Sequence, residues 1–158
     1  MGWGSERIND SANQRIMLPP DLLSLSTMTL ATTGADGAAH AAAVYFAADE
    51  YLRFYFFSAP DSQHSQDIQG NPKVAVALYP ECNDWQDIRG LQMHGEARRM
   101  AEGAAWQAAW QCYAHKFPFV VDLEEVIARN ALYAFQPRWI RLVDNRRGFG
   151  FKQEWTLP

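Results

Sequence analysis

Cysteine is scarce: Cys82 and Cys112 are the two in the chain. They make no C-x-x-C pair, and two thiols cannot build a disulfide scaffold. The four histidines, His40, His64, His94 and His115, are scattered, with no pair at metal-ligand spacing, so no metal site is expected. No run of about 18 apolar residues occurs, which excludes a membrane-spanning helix as an expectation. The opening MGWGSERINDSANQ has no apolar h-region. No signal peptide is therefore expected there, and the cytoplasm is the expected compartment. Positive charge is also thin, with 14 Lys and Arg against 18 Asp and Glu and a net charge of −4. That balance lacks the basic footprint of a nucleic-acid binder. The densest basic stretch, 138–152, is broken by Asp144 and by apolar residues, and reads as a strand pair with charged edges. No nucleophile elbow and no P-loop is present.

What the chain does have is apolar and aromatic. Hydrophobic residues make up 48% and charged residues 20%, a globular balance. The length of 158 residues fits a single domain over 1–158, with 1–14 polar and expected to be loose. Six tryptophans are many for this size. Trp and Tyr favour interfaces and stacking sites.

Local patterns set the element order. Pro19-Pro20 before Asp21-Leu22-Leu23 predicts a short helix. Thr27 to Thr33 reads as a strand closed by the turn Gly34-Ala35-Asp36-Gly37, with a return strand over His40 to Ala47. YLRFYFF at 51–57 predicts a third, aromatic strand. SQHSQDIQG reads as a short helix capped by Asp61 or Ser62 and stopped by Gly70. Strands follow at Lys73 to Tyr79 and Ile88 to Met100, the second presenting Leu91, Met93 and Gly95 on its more apolar side. In the helix predicted at 102–116, Trp106, Ala109, Trp110 and Tyr113 share one face. A short helix near Asp122 to Arg129, a strand over Ala131 to Val143 and a last strand ending at Trp155 complete the chain. The fold class expected is mainly β with peripheral helices, an antiparallel barrel.

The junction Phe57-Ser58-Ala59-Pro60-Asp61-Ser62-Gln63-His64 concentrates the candidate chemistry. A strand ends and a helix begins, so unpaired backbone N–H groups and the helix dipole face outward. The hydroxyls of Ser58 and Ser62 add donors, and His64 adds a group whose charge depends on pH. Read from residues alone, this is either an anion cradle or an ordinary helix cap.

From about Thr27 to Met100 the chain resembles the pyridoxamine 5'-phosphate oxidase-like, FMN-binding split-barrel superfamily. The residues that carry the resemblance are MTLATTGADG, YLRFYFFSAP, SQHSQDIQGNPKVAVAL and IRGLQMHGEARRM. With KFPFV, ALYAFQPRWIRLVDN and GFGFKQEW added, the resemblance narrows to a YhbP-like branch and covers most of 20–155.

The resemblance implies an antiparallel split β-barrel of the FMN-binding type, a homodimer with FMN at its interface, and a small-molecule redox substrate. It places the flavin phosphate on Ser58, Ser62, Gln63 and His64. It lays the flavin ring along the second strand, at Ala42, Ala43 and Val44. Gln92, mid-strand among apolar neighbours and read as a buried amide that must have a partner, is a candidate for the flavin's polar edge, and Trp139 for reaching the other protomer's flavin, with Trp85, Arg89, Arg138 and Lys152 nearby in the sequence pattern. The oxidase pattern reads Ser-Arg-Lys where this chain has Ser62-Gln63-His64, so two fixed charges are replaced by an amide and an imidazole. Two other readings stay open. One is a haem- or deazaflavin-binding module, with His64, His94 or His115 as axial ligand; the other is a cofactor-free dimeric domain.

Overall fold

Aromatic residues at alternate positions organise the core. Phe46, Phe54, Phe56 and Phe135 are fully buried, together with Leu22, Met28, Leu30, Leu78, Leu91 and Ile140. Hiding each such side chain stabilises the fold by roughly 1.5–3 kcal/mol. The computed structural model describes residues 6–7, as backbone, and 15–158. The expectation of a loose 1–14 lies almost wholly outside the described residues.

The strands are β1 (Glu6–Arg7), β2 (Thr27–Thr33), β3 (Ala39–Tyr45), β4 (Ala47–Ala48), β5 (Phe54–Ser58), β6 (Lys73–Leu78), β7 (Arg89–Arg99), β8 (Ala131–Asp144) and β9 (Lys152–Thr156). The helices are α1 (Pro20–Leu23), α2 (Gln63–Gly70), α3 (Ala104–Lys116) and α4 (Glu124–Ala128). The sheet runs β1-β9-β8-β7-β6-β2-β3, with β5 pairing β4 and the first part of β8. Apart from the parallel β1–β9 pair, every pairing is antiparallel. The sheet curls into an antiparallel split barrel around the phenylalanine core, with helices at its periphery. Among the described residues no helix is long and apolar enough to cross a membrane.

Two local features depart from the expected pattern. The third strand starts at Phe54, not Tyr51, because Asp49 closes a turn. Its Oδ1 accepts from the N–H groups of Tyr51 (2.9 Å) and Arg53 (3.0 Å), and Leu52 adopts a left-handed φ of 58°. The return strand ends at Tyr45, because the Phe46 N–H turns to Ser26 O (3.1 Å) before Ala47–Ala48 begin a separate pairing with β5.

The β7–β8 pairing also carries a bulge. His94 lies opposite Trp139 while Gly95 lies opposite Pro137, so Arg138 is an extra residue in β8. Proline fits there because it has no N–H to give the ladder. Before the bulge Tyr133, Phe135 and Pro137 face the core; after it Ile140, Leu142 and Asp144 do. A Cβ on Gly95 would collide with the Gln136 carbonyl oxygen and stand 2.9 Å from Pro137 Cα, so glycine is required opposite the bulge.

The other side of the sheet is covered at one end and bare at the other. Trp106, Trp110, Tyr113 and Ala109 of α3 pack with Tyr55, Phe57 and Leu132, as the helical spacing predicts. Beyond α3 the same side presents Ala41, Ala43 and Ala75 exposed and Ala31 and Ala77 half-buried, with Gln92, His94, Trp139 and Arg141 along its margin.

Candidate functional site

The candidate site is built where β5 hands the chain to α2. Ser58, the last residue of β5, is buried and pairs with Ala131. Ser62 is the N-cap of α2: its hydroxyl receives the Ser65 N–H at 3.4 Å and donates to Ser65 Oγ at 2.8 Å. In the first turn of the helix, the His64 ring folds back over the junction. Its Nε2 lies 2.7 Å from Ser58 Oγ and 3.3 Å from Ser62 Oγ. Three of the four predicted phosphate-binding residues therefore converge on one point.

Burial pulls the His64 pKa below its usual value, and the charge of Asp67 offsets this in part. The imidazole is neutral at neutral pH. The cradle thus offers hydroxyls, a ring nitrogen and the unpaired N–H groups of the first helical turn, but no fixed charge.

Gln63, the fourth residue, points elsewhere. Its Nε2 donates to Asp67 Oδ1 at 2.8 Å. Asp67 Oδ2 accepts from Thr32 Oγ1 at 2.6 Å and lies 2.7 Å from His40 Nδ1. The Thr32 hydrogen bond, with those of Gln63 and His40, holds this buried carboxyl below the usual carboxylate range against the opposing effect of burial. The network ties α2 to β2 and β3. Asp67 is committed to Thr32, His40 and Gln63, so it does not serve the Ser58–His64 pair as the orienting acid of a hydrolytic triad.

β3 runs beside α2 at the margin of the sheet. Among the described residues β2 is its one ladder partner, so its other edge carries free backbone N–H and C=O groups. Ala42 is half-buried, Ala43 exposed and Val44 buried. The small side chains permit a flat ring to approach this edge.

Gln92 and Trp139 lie apart from the cradle. Register runs Ala43–Thr29–Ala77–Gln92–Arg141 across the outer face, which puts Gln92 about 14 Å from β3 at three strand spacings. Gln92, expected to be a buried amide, is exposed and accepts from Arg141 Nη1 at 3.4 Å. Outward alternation from Leu91 and Met93 explains its position. The Trp139 ring stacks on His94 (5.1 Å between centroids, 15°), with the Arg141 guanidinium 4.8 Å from its centroid.

Trp85 is exposed at the far end, edge-on to Phe149, and Arg89 pairs with Asp21. The sequence reading missed the Asp67 network and gave His40 no partner. The hairpin register that sets Thr32 opposite His40 is the signal that could have found it.

Similarity to known proteins fits this geometry. A family model described as pyridoxamine 5'-phosphate oxidase matches residues 21–144. UPF0306 protein plu4501 of Photorhabdus laumondii is 30% identical over 81% of this chain and 85% of its own length. UPF0306 protein YhbP of Escherichia coli O157:H7 is 32% identical over 72% of this chain and 66% of its own. Among solved structures, HutZ of Vibrio cholerae, described as a heme storage protein, superposes with a TM-score of 0.63 at 16% identity, covering 71% of this chain and 81% of that one.

Proposed function

The chain belongs to the pyridoxamine 5'-phosphate oxidase family, in its YhbP-like branch, and we propose that it is an FMN-binding flavoprotein acting as an oxidoreductase on a small-molecule substrate. The observation that carries the reading is the convergence of Ser58 Oγ, Ser62 Oγ and His64 Nε2, within 2.7–3.3 Å, at the start of α2. These groups and the free N–H groups of the first helical turn are donors that fit a phosphate. The free edge of β3 at Ala42, Ala43 and Val44 supplies N–H and C=O groups for the polar rim of a flat heterocycle. FMN, when bound, would supply the hydride- and electron-transfer chemistry. The protein's own part is to hold the phosphate, orient the ring against β3 and keep water from one of its faces.

The bare outer face makes the chain a homodimer in this reading. Small exposed residues on a broad sheet let a second copy approach closely, and Gln92 and Trp139 from that copy complete the ring's surroundings. The test is an absorption spectrum of the purified protein followed by titration with FMN. Saturable uptake, lost in a Ser62→Ala/His64→Ala variant, is expected. A colourless protein that ignores FMN overturns the reading.

One observation favours a second reading, haem handling. His94 is exposed in a hollow of about 540 Å³ that is also lined by Lys73, Arg138 and Glu96. An exposed imidazole in an open hollow with two cations and one carboxylate on its walls is a candidate axial ligand for an iron porphyrin. A Soret band on haem addition, absent in His94→Ala, would select it.

A further inference from the structure

Where α3 and α4 meet the sheet they enclose a cavity of about 310 Å³, and none of Ser58, Ser62 and His64 lines it. Its wall is aromatic. The Trp106 and Trp110 rings of α3 lie nearly parallel, with 6.1 Å between centroids and 16° between planes. Phe57 meets both almost at right angles (79° and 83°), which holds the two indoles in one orientation. Both tryptophans line the cavity and are only half-buried. No Lys or Arg among the described residues lies over either ring, whereas Phe46, Tyr51, Trp139 and Phe151 each have such a cation. Met100, Ile127 and Leu132 add apolar surface. The charged groups on the walls are Glu102, Glu124 and Arg99, all exposed. Neither carboxylate has an ion-pair partner among the described residues, Arg99 included. Asn130 Nδ2 donates to Val126 O at 2.6 Å, which leaves its side-chain oxygen as a further acceptor on the wall. Two carboxylates, an amide oxygen and an indole surface thus stand against one guanidinium. The face of an indole attracts cations through its quadrupole. The volume lies at the lower end of the roughly 300–1,000 Å³ range of organic-ligand sites.

We propose that this cavity binds a small aralkylammonium cation, with its aromatic body against Trp106, Trp110 and Leu132 and its ammonium group facing Glu102 and Glu124. A primary ammonium has three donors and no acceptor, which matches walls that offer acceptors. The aromatic body stacks on the indoles, and the charge gains from both the carboxylates and the ring faces. Arg99 opposes binding through like charge. The site needs no flavin, so this proposal and the FMN reading fail separately.

The test is calorimetric titration of the full chain near pH 7.5 with phenethylamine, 2-phenylethanol and phenylacetate. The first is a cation at that pH, the second is its neutral counterpart of nearly the same shape, and the third is an anion. Saturable phenethylamine binding is expected, with the other two at least about fivefold weaker. Glu102→Gln/Glu124→Gln should weaken phenethylamine about fivefold and leave 2-phenylethanol unchanged, whereas Arg99→Gln should strengthen phenethylamine. Glu125→Gln, an exposed acid of α4 that does not line the cavity, should change nothing. All of these side chains are exposed, so the unfolding midpoints of the variants should match the wild type. A wild-type protein that ignores phenethylamine, or a double variant that binds it as tightly as wild type, overturns the proposal. Equal affinity for 2-phenylethanol, which would make the cavity merely apolar, or a preference for phenylacetate overturns it as well.

Discussion

His40 Nδ1 stands 2.7 Å from Asp67 Oδ2, and this pair joins the marginal strand β3 to helix α2. Both halves of the candidate site depend on it, since β3 offers the edge proposed for the ring and α2 the turn proposed for the phosphate. Thr32, opposite His40 in the hairpin, donates to the same oxygen.

Replacing Thr32 by valine keeps its shape and removes the strongest donor to Asp67. The carboxyl should then titrate closer to its ordinary value. Asp67 is held low in the folded state, so its contribution to stability is present above its unfolded pKa of about 4 and is lost as pH falls below that. Thermal unfolding between pH 3 and pH 6 should show a shallower acid slope in Thr32→Val than in wild type. An unchanged slope would mean that the Thr32 hydrogen bond does not hold the carboxyl down.

His64 gives the corresponding effect nearer neutrality. Burial lowers its folded pKa, so the unfolded chain binds its proton first as pH drops. Stability from this group is complete above the unfolded value of about 6.5 and declines as pH falls through it. The unfolding midpoint of the unliganded protein should therefore drop between pH 7.5 and pH 5.5, with a smaller drop in His64→Gln.

Lys116 closes the end of the barrel. Its Nζ donates to Leu23 O (3.0 Å) and Leu25 O (2.6 Å) and sits 3.8 Å from the Phe46 ring centroid. Lys116→Met should cost about 1–3 kcal/mol in chemical denaturation, from two lost charge-assisted hydrogen bonds and a cation–π contact.

Gly95→Ala should be more damaging. The added methyl meets the Gln136 carbonyl opposite the bulge, and neither backbone can yield without breaking the β7–β8 ladder. A loss of about 3 kcal/mol or more is expected, with reduced yield of folded protein.

Ala75→Arg tests the bare face. Ala75 is exposed in the middle of that surface, between Ala31 and His94 in register. Light scattering should report a dimer for wild type and a monomer for the variant, with weaker FMN uptake in the monomer. A wild-type monomer would remove the second copy from the proposed site.

Much of this architecture was legible in the sequence because it is local. The Ser62 cap, the α3 stripe of Trp106, Trp110 and Tyr113, and the alternation of Leu91 and Met93 each follow from neighbours a few residues apart. The family motifs tied these pieces into a split barrel. The boundary at Phe54 was misplaced because YLRFYFF is uniformly β-prone, whereas Asp49, just before it, decides where the turn closes. Gln92 was given a buried environment because its neighbours in sequence are apolar; strand alternation puts it on the other face. The Asp67 network joins residues 32, 40, 63 and 67 from three elements, and no spacing along the chain announces it.

The bulge at Arg138 makes chain length, rather than composition, decide which side chains form the bare face. Deleting that one residue would restore continuous alternation in β8. Trp139, Arg141 and Val143 would stay outward and Ile140 and Leu142 inward, whereas a β8 that kept Arg138 without the bulge would turn Trp139, Arg141 and Val143 inward. Residues 131–137, which carry the pairing that seats Ser58, would keep their facing. One strand thus seats Ser58 through its first half and shapes the bare outer face through its second, and the two halves answer to different mutations, so a lineage could lose or re-aim one while keeping the other.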